Sequence, residues 1–255
     1  MISTTIRLAP TLACRQRQTL LALLPAVLVW LAQQGEPALF SLLLALSCSL
    51  LGEIACLYLR KQTISQAWQQ ASSLLSGVLL SLLFPAASSP VVLIAACMAA
   101  VLLRQLSNGP FHPVTVSLLL LAPWLPTALP VTNLPLSLAL LMGCLWLAWR
   151  HLLAWQAPTG VVLVLLLSLP QGTGWMLLQP ALWLLAGWVM TDGNSTPITP
   201  RGRLLHGVAA GLLCGGLSLQ DSWMNIGSVL AASLLLLSAC APLLDRLLLS
   251  PPSRT

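Results

Sequence analysis

The chain has 255 residues, of which 58% are hydrophobic and only 6% are charged, whereas a typical soluble domain is ~25% charged. Its 11 basic and 5 acidic side chains are too few to cover the surface of a soluble fold of this size. The composition excludes an ordinary soluble domain and predicts an all-α membrane protein, because hydrocarbon offers no partners to backbone groups outside a helix.

Ten apolar runs follow one another and predict a polytopic helical bundle of nine to ten spans. They are residues 19–32, 38–59, 72–84, 91–103, 114–125, 134–149, 160–169, 175–190, 204–219 and 226–249. We assign 1–18 to a cytoplasmic N-terminal segment, 19–249 to a single transmembrane domain and 250–255 to a cytoplasmic tail.

The basic residues predict the orientation of these spans. All 11 lysines and arginines precede the first run or lie at or beyond the ends of even-numbered runs, whereas the opposite loops carry Glu36 and Asp221 and no basic residue. Cytoplasmic loops are enriched in Lys and Arg, so we expect both termini in the cytoplasm of a bacterium and the spans in its inner membrane. The net charge of +6 reflects topology, and we expect no nucleic-acid partner.

Four runs are shorter than the ~20 residues that cross a bilayer, namely 72–84, 91–103, 114–125 and 160–169. Short segments interrupted by Gly or Pro, repeated in both halves, are typical of proteins with a binding region at the bilayer midplane. The stretch from Gly77 to Pro113 echoes that from Gly160 to Pro197. The echo predicts two pseudo-repeats with short or half-helices, although Leu-rich sequence also matches by chance.

Glu53 is an acidic residue inside the second run. An ionisable side chain at membrane depth is costly and suggests a functional role. The alternative is an acid near the interface that pairs with Arg60, two turns further along the helix. The seven cysteines form no C-x-x-C pair, and we expect no metal site.

Two polar segments broken by proline, 108–113 and 191–203, are the strongest candidates for a site. Their prolines prevent a continuous helix and leave backbone carbonyls without intrahelical partners. Unwound backbone near membrane depth is tolerated where it packs in protein or lines a polar cavity. We therefore predict a flavin or quinone pocket, although two ordinary cytoplasmic turns would give the same pattern. The candidate pocket residues are Asn108, His112, Asp192, Thr196, Thr199 and Arg201.

The same segments resemble a known family. Residues 190–203, MTDGNSTPITPRGR, look like the signature of the D-type membrane component of the Rnf electron-transport complex, a family shared with the B-type component of the sodium-pumping NADH:quinone oxidoreductase. Residues 72–82 resemble the family's S-A-L-V-T-G-L-L-L-A-L segment. Residues 104–113 look like a shortened K-Q-L…F-N-P segment, and 242–246 are similar to its closing P-L-I-D-R.

The resemblance implies an integral-membrane subunit of a complex that couples electron transfer to ion translocation, with no activity alone. Its partners would be other membrane subunits and a periplasm-facing flavoprotein subunit, besides the lipid bilayer. In this family, flavin mononucleotide (FMN) is attached to the threonine of an outer S-G-A-T motif. A flavin can pass electrons one at a time, which suits a relay between subunits.

This sequence departs from the family pattern where the flavin should be attached. No S-G-A-T occurs, and the outer loop is only residues 126–133, so that some fifty residues are missing. Thr132 is the nearest threonine, but its surroundings do not match. Gln70 replaces the acid before S-A-L-V-T-G, and His112 replaces the asparagine of F-N-P. We expect any FMN or riboflavin to be bound non-covalently rather than covalently.

Two other functions remain open from the sequence. A shortened relative could act as a flavin-free structural subunit of the same complex. Short paired spans would also suit a small-solute channel or transporter.

Overall fold

The structure, a computed structural model, describes residues 12–61, 72–85, 88–106, 111–124, 133–171, 173–190, 196–218 and 226–248. Within these ranges the regular structure is entirely helical, and no strand occurs. The predicted all-α architecture is confirmed.

Ten helices lie in the described ranges, and each coincides with one of the ten apolar runs. They are α1 (Leu12–Gln34), α2 (Glu36–Leu59), α3 (Ser72–Leu83), α4 (Pro90–Leu106), α5 (Pro113–Leu121), α6 (Leu134–Trp149), α7 (Gln156–Leu167), α8 (Pro180–Leu184, continued by a π-helical turn, Leu185–Val189), α9 (Pro200–Ser218) and α10 (Ile226–Leu248). Tight 3-10 turns follow α5 at Ala122–Trp124 and connect α7 to α8 at Leu169–Gln171 and Thr173–Leu178.

Proline and short polar side chains set where many of the helices begin. Proline is tolerated in the first turn because the N–H that it lacks has no intrahelical partner there. The Oδ1 atom of Asn133 accepts a hydrogen bond from the Leu136 backbone N at 3.1 Å and caps α6. Prolines at the first or second helical position are Pro37 of α2, Pro90 of α4, Pro113 of α5, Pro135 of α6, Pro180 of α8 and Pro200 of α9.

The helix lengths agree only partly with those expected from the apolar runs. Helix α2 and the Val229–Arg246 part of α10 are long and apolar enough to cross a bilayer. Helices α3, α5 and α7 have 12, 9 and 12 residues and are short, as predicted. Helix α4 extends beyond its apolar run, because its last turn includes the polar Arg104 and Gln105. With 17 residues it is still shorter than the ~20 that cross a bilayer.

The eighth apolar run is broken, whereas its composition predicted a continuous span. Residues Thr173–Leu178 form a 3-10 turn, and the α-helix begins at Pro180 after the extended Gln179. The following turn is π-helical, with Met190 N bonded to the Leu185 carbonyl at 2.9 Å. Proline cannot donate to the preceding turn and disfavours helical geometry in the residue before it, which accounts for the break.

The outer surface of the bundle is apolar. Leu28, Phe40, Leu51, Met142 and Leu236 are each more than half exposed, and they belong to four different helices. Soluble monomers rarely expose contiguous apolar patches of more than a few hundred Å². Such a surface is stable against lipid and not against water, in agreement with the membrane fold predicted from composition.

The packing divides the bundle into two halves of five helices, α1–α5 and α6–α10. Helix α2 packs on α4 and α4 on α5, just as α7 packs on α9 and α9 on α10. Helices α1 and α6 pack against each other, and so do α5 and α10. The third helix of each half, α3 or α8, is the most deeply buried. Five is an odd number, so successive halves that cross a bilayer run in opposite directions, as in inverted repeats.

The register of the repeat differs from the one predicted by the sequence echo. That echo aligned Gly77 of α3 with Gly160 of α7. In the structure Gly160 lies against α9, where an added Cβ would be 2.7 Å from the Leu204 carbonyl oxygen. In the first half, a glycine of α2, Gly52, faces Met98 of α4. Helix α7 therefore matches α2, and the Gly77 echo reflects shared Leu-rich composition.

Candidate functional site

The second candidate segment is held in place by the end of α10. Both carboxylate oxygens of Asp245 accept hydrogen bonds from the Ile198 backbone N, each at 3.0 Å. One of them also accepts from the Thr199 N at 3.4 Å. These bonds supply partners for backbone groups in a stretch where proline prevents a helix. The segment is therefore packed against protein over its described residues.

The other residues of this segment stabilise the start of α9. Thr199 Oγ1 accepts from the Gly202 N at 3.1 Å and caps the helix, and Arg203 Nε donates to the Pro197 carbonyl at 2.9 Å. Thr196 is buried, with 6% of its surface exposed, whereas Arg201 is exposed. Thr199 thus contacts Asp245 and the first turn of α9, and Arg201 faces outward.

His112 begins α5 and lines a small cavity. Its Nδ1 accepts from the Val114 backbone N at 3.3 Å, and Thr115 Oγ1 donates to its carbonyl oxygen at 2.6 Å. The cavity lies where α5, α8, α9 and α10 meet. Its lining consists of His112, Thr115, Val189, Met190, His206, Leu234 and Ser238.

The size of this cavity limits what it can hold. Its volume is about 10 Å³, which is near the minimum for a single water molecule. Pockets for organic ligands typically measure ~300–1,000 Å³. The cavity beside His112 is therefore too small for a flavin ring or a quinone.

Three of the residues considered for the cofactor site lie outside the described residues, namely Asn108, Asp192 and Thr132. The predicted pocket is thus seen only in part. Of its described members, His112 belongs to the cavity lining, and Thr196, Thr199 and Arg201 belong to the segment that precedes or begins α9.

Glu53 pairs with a different arginine from the one expected. Its Oε1 lies 2.5 Å from Nη2 of Arg104 on α4, and Arg104 Nη1 donates to Ser72 Oγ at 2.6 Å. Arg60, the partner predicted from helical spacing, instead donates to the Gln105 carbonyl. Glu53 is 1% exposed. The pair therefore joins α2, α3 and α4 through a buried carboxylate.

The sequence reasoning missed His206, Ser238 and the partner of Asp245. His206 is a histidine inside the apolar run 204–219, and the criterion that selected Glu53, an ionisable side chain at membrane depth, would also have selected it. Ser238 gave no comparable signal, because isolated serines occur throughout the Leu-rich runs. The contact of Asp245 with Ile198 spans 47 positions and has no local signature.

The described residues also bear on metal binding. Among them, no three side chains of His, Cys, Asp or Glu gather as a metal site would require. No disulfide joins the cysteines of the described ranges, and Cys97, Cys144 and Cys214 are buried among apolar side chains. These three behave as small packing residues.

Comparison with known proteins connects this arrangement to a family. A family model described as "NQR2, RnfD, RnfE family" matches residues 2–129 and 133–252. The chain is 25% identical to the D-type component of the ion-translocating oxidoreductase complex of Escherichia coli (strain Crooks), over 90% of this chain and 93% of that protein. The protein of the same name from Shigella boydii serotype 18 shows the same identity and coverage. The one from Mannheimia succiniciproducens is 32% identical over 43% of this chain and 33% of that protein.

The comparison also shows how much shorter this chain is than its relatives. The alignment with the Escherichia coli protein extends over 331 positions. Since 90% of 255 residues is about 230, about 100 of those positions carry no residue of this chain. The deficit is larger than the fifty residues expected from the sequence. The family match breaks at residues 130–132, inside the loop where the missing part was predicted. The matched ranges extend over nearly the whole chain, which therefore belongs to the NQR2, RnfD, RnfE family, a family of membrane proteins.

Proposed function

We propose that this chain is an integral-membrane subunit of an Rnf-type complex that couples electron transfer to ion translocation. The single observation that carries the proposal is the family match over almost the whole chain, together with D-type relatives that are covered over 93% of their length. A protein of this kind acts within an assembly and has no activity alone.

Several finer statements belong to the same proposal. The chain lies in the bacterial inner membrane with both termini in the cytoplasm. Its partners are the other membrane subunits of the complex and a flavoprotein subunit that faces the periplasm. The one-sided distribution of lysine and arginine supports the orientation, and the names of the relatives support the assembly.

A second candidate function is favoured by the shortened outer loop. A flavin-free structural subunit would need the helical bundle but not the S-G-A-T loop, and this chain lacks that motif. In this version, electrons pass through the partner subunits, and this chain holds those subunits in position. The alternative of a small-solute channel gains no support from the cavity beside His112, which has the volume of about one water molecule.

The deciding experiment is purification of the tagged chain from its own membranes under mild detergent. Mass spectrometry identifies the co-purifying subunits, and the absorbance spectrum and acid-extracted flavin per mole of protein report on cofactors. We expect further membrane subunits and a flavoprotein in the sample. Purification as a lone chain, under conditions that keep a known Rnf complex intact, would contradict the proposal.

The same sample separates the two candidates. Flavin assigned to this chain, after the contribution of partner flavoproteins has been subtracted, supports the electron-carrying version. Its absence from an otherwise complete complex supports the structural version.

A further inference from the structure

His206 is a buried imidazole whose Nδ1 has no hydrogen-bond partner among the described residues. Only 1% of the side chain is exposed, and it lies six residues after the start of α9. Leaving a buried polar atom without a partner costs ~1–3 kcal/mol. Native proteins usually avoid this cost with a protein group or an ordered water molecule.

A space of suitable size and polarity adjoins this imidazole. The cavity of about 10 Å³ is lined by two imidazoles, His206 and His112, and by the hydroxyl-bearing Thr115 and Ser238. This volume is close to the minimum that a water molecule needs, and a buried water typically makes two to four hydrogen bonds. Empty cavities, in contrast, are usually lined by apolar side chains only.

The two hydroxyl groups can serve as acceptors for such a water. Thr115 Oγ1 donates its hydrogen to the His112 carbonyl at 2.6 Å, and Ser238 Oγ donates to the Leu235 carbonyl at 2.8 Å. Their lone pairs remain to accept. A water molecule in the cavity can then donate one hydrogen to His206 Nδ1 and the other to a hydroxyl oxygen, which satisfies the buried imidazole nitrogen.

The charged groups of the surrounding helices face elsewhere. Among the described residues, α5 and α8 carry no Asp, Glu, Lys or Arg. On α9, Arg201 is exposed and Arg203 donates to Pro197. On α10, Asp245 accepts from Ile198 and Arg246 is exposed. Among the residues that the structure describes, a proton that enters the cavity therefore meets two imidazoles and two hydroxyls and no fixed charge.

We propose that this cavity is a proton-binding site in which one water molecule links His206 Nδ1 to the ring of His112. A proton that enters the cavity passes through the water to His206 Nδ1. His112 does not take the proton from the water, because its Nδ1 accepts from the Val114 backbone N–H and its Nε2 therefore already carries a hydrogen. A histidine that accepts from water at Nδ1 when neutral donates from the same atom when protonated, so the hydrogen bond survives the proton transfer with its direction reversed. The π-helical turn of α8 ends at this cavity, and such turns are frequent at functional sites.

The chain contains three histidines, which makes the proposal directly testable. The full-length chain, purified with a histidine-free affinity tag, is labelled with ¹⁵N in its imidazoles and placed in lipid nanodiscs. Nuclear magnetic resonance follows tautomer and protonation between about pH 4 and 8, the range around the ordinary histidine transition. His151 is exposed in the turn after α6 and serves as the internal control.

We expect magnetisation transfer from a long-lived water to Nδ1 of His206, and none of comparable lifetime to His151. We also expect the protonation of His206 to depend on its neighbour. His112→Asn removes the ring that contacts the water and should shift the His206 midpoint by about one pH unit, roughly the free energy of one hydrogen bond. Thr115→Val, which keeps the side-chain shape, should weaken the water contact. His151→Gln should leave both signals unchanged.

Two results would overturn the proposal. The first is a His206 Nδ1 without a bound water in the parent chain. The second is a His206 transition that His112→Asn leaves in place. Thermal unfolding of each variant establishes that the fold is intact, and the conservative Thr115→Val replaces His112→Asn if the latter does not fold. Stoichiometric zinc or copper in the purified chain, found by elemental analysis, would also contradict a water-filled site.

Discussion

Single glycines decide how closely the helices approach in the second half. A Cβ added to Gly207 of α9 would lie 2.1 Å from the Ala157 carbonyl oxygen, and one added to Gly160 of α7 would lie 2.7 Å from the Leu204 carbonyl oxygen. Small residues at such crossings allow close backbone packing in membranes, where the hydrophobic effect does not drive helices together.

Replacement of Gly207 by alanine is expected to separate α7 from α9. The overpacked methyl group should cost ~1–3 kcal/mol and lower the thermal unfolding temperature of the detergent-purified chain. The matched control is Gly216→Ala on the same helix, where an added Cβ meets nothing within 4 Å. That control should be neutral or slightly stabilising, because alanine favours helix over glycine. Equal unfolding temperatures for the two variants would contradict the close crossing.

The buried pair of Glu53 and Arg104 gives a second residue-level prediction. Arg104→Ala leaves the carboxylate of Glu53 buried without its cation and should cost ~3 kcal/mol. Adding Glu53→Gln to that variant should restore part of the loss, because the unpaired charge is then removed. The measurement is a double-mutant cycle by thermal unfolding, with Arg246→Ala, at an exposed position, as the control. Additive effects of the two substitutions would show that the pair is not coupled.

At the scale of elements, α10 determines the conformation of the segment before α9. Asp245 supplies acceptors for Ile198 and Thr199, 47 and 46 positions earlier in the chain. Thr196 and Pro197, which directly precede these bonded residues, are buried. The family motif around residues 196–203 and the closing segment 242–246 thus form one structural unit.

Asp245→Ala is expected to release this segment. In a cysteine-free background, Thr196→Cys should react slowly with a membrane-impermeant thiol reagent on inverted vesicles, because Thr196 is 6% exposed. Labelling should become several-fold faster once Asp245 is replaced. Ile198→Cys, at a position that is 75% exposed, should react quickly in both backgrounds. Fast labelling of Thr196→Cys in the parent would mean an ordinary loop.

At the scale of the whole molecule, the basic residues at alternate helix ends predict how the chain is oriented in the membrane. The ten helices of the described ranges and the one-sided distribution of 11 basic residues predict that both termini lie on the same side of the membrane. Fusions of green fluorescent protein and alkaline phosphatase at Thr255 should give fluorescence and no phosphatase activity. Phosphatase activity at that position would contradict the ten-span topology.

Flavin attachment also concerns the whole molecule, since the shortened outer loop lacks the S-G-A-T motif to which flavin is attached in the family. We expect no covalent flavin, because S-G-A-T is absent and Pro126 and Pro130 restrict the loop around Thr127. In-gel flavin fluorescence after denaturation should be dark. A fluorescent band that Thr132→Ala or Thr127→Ala abolishes would overturn this expectation.

The candidate site could be predicted only in part. The local sequence identified the segments around His112 and Thr199, because proline and polar residues interrupt apolar runs there. The partners of these residues could not be predicted. His112 shares its cavity with His206, which lies 94 positions later in the chain, and Thr199 binds Asp245. Helical spacing chose Arg60 for Glu53, because spacing along one helix carries no information about a neighbouring helix such as α4.

The sequence by itself determined the helical class and the order of the helices, and it limited their number to nine or ten, because apolar runs in hydrocarbon must satisfy their backbone groups internally. It also determined the family, through the residues 190–203. Only the tertiary structure decided which helices are paired between the halves, where the eighth run breaks and which side chains meet. These properties depend on contacts between side chains far apart in the chain, such as Gly207 with Ala157 and Asp245 with Ile198. Leu-rich helices offer many faces of nearly equal hydrophobicity, so the few glycine, proline and polar contacts select one packing among them.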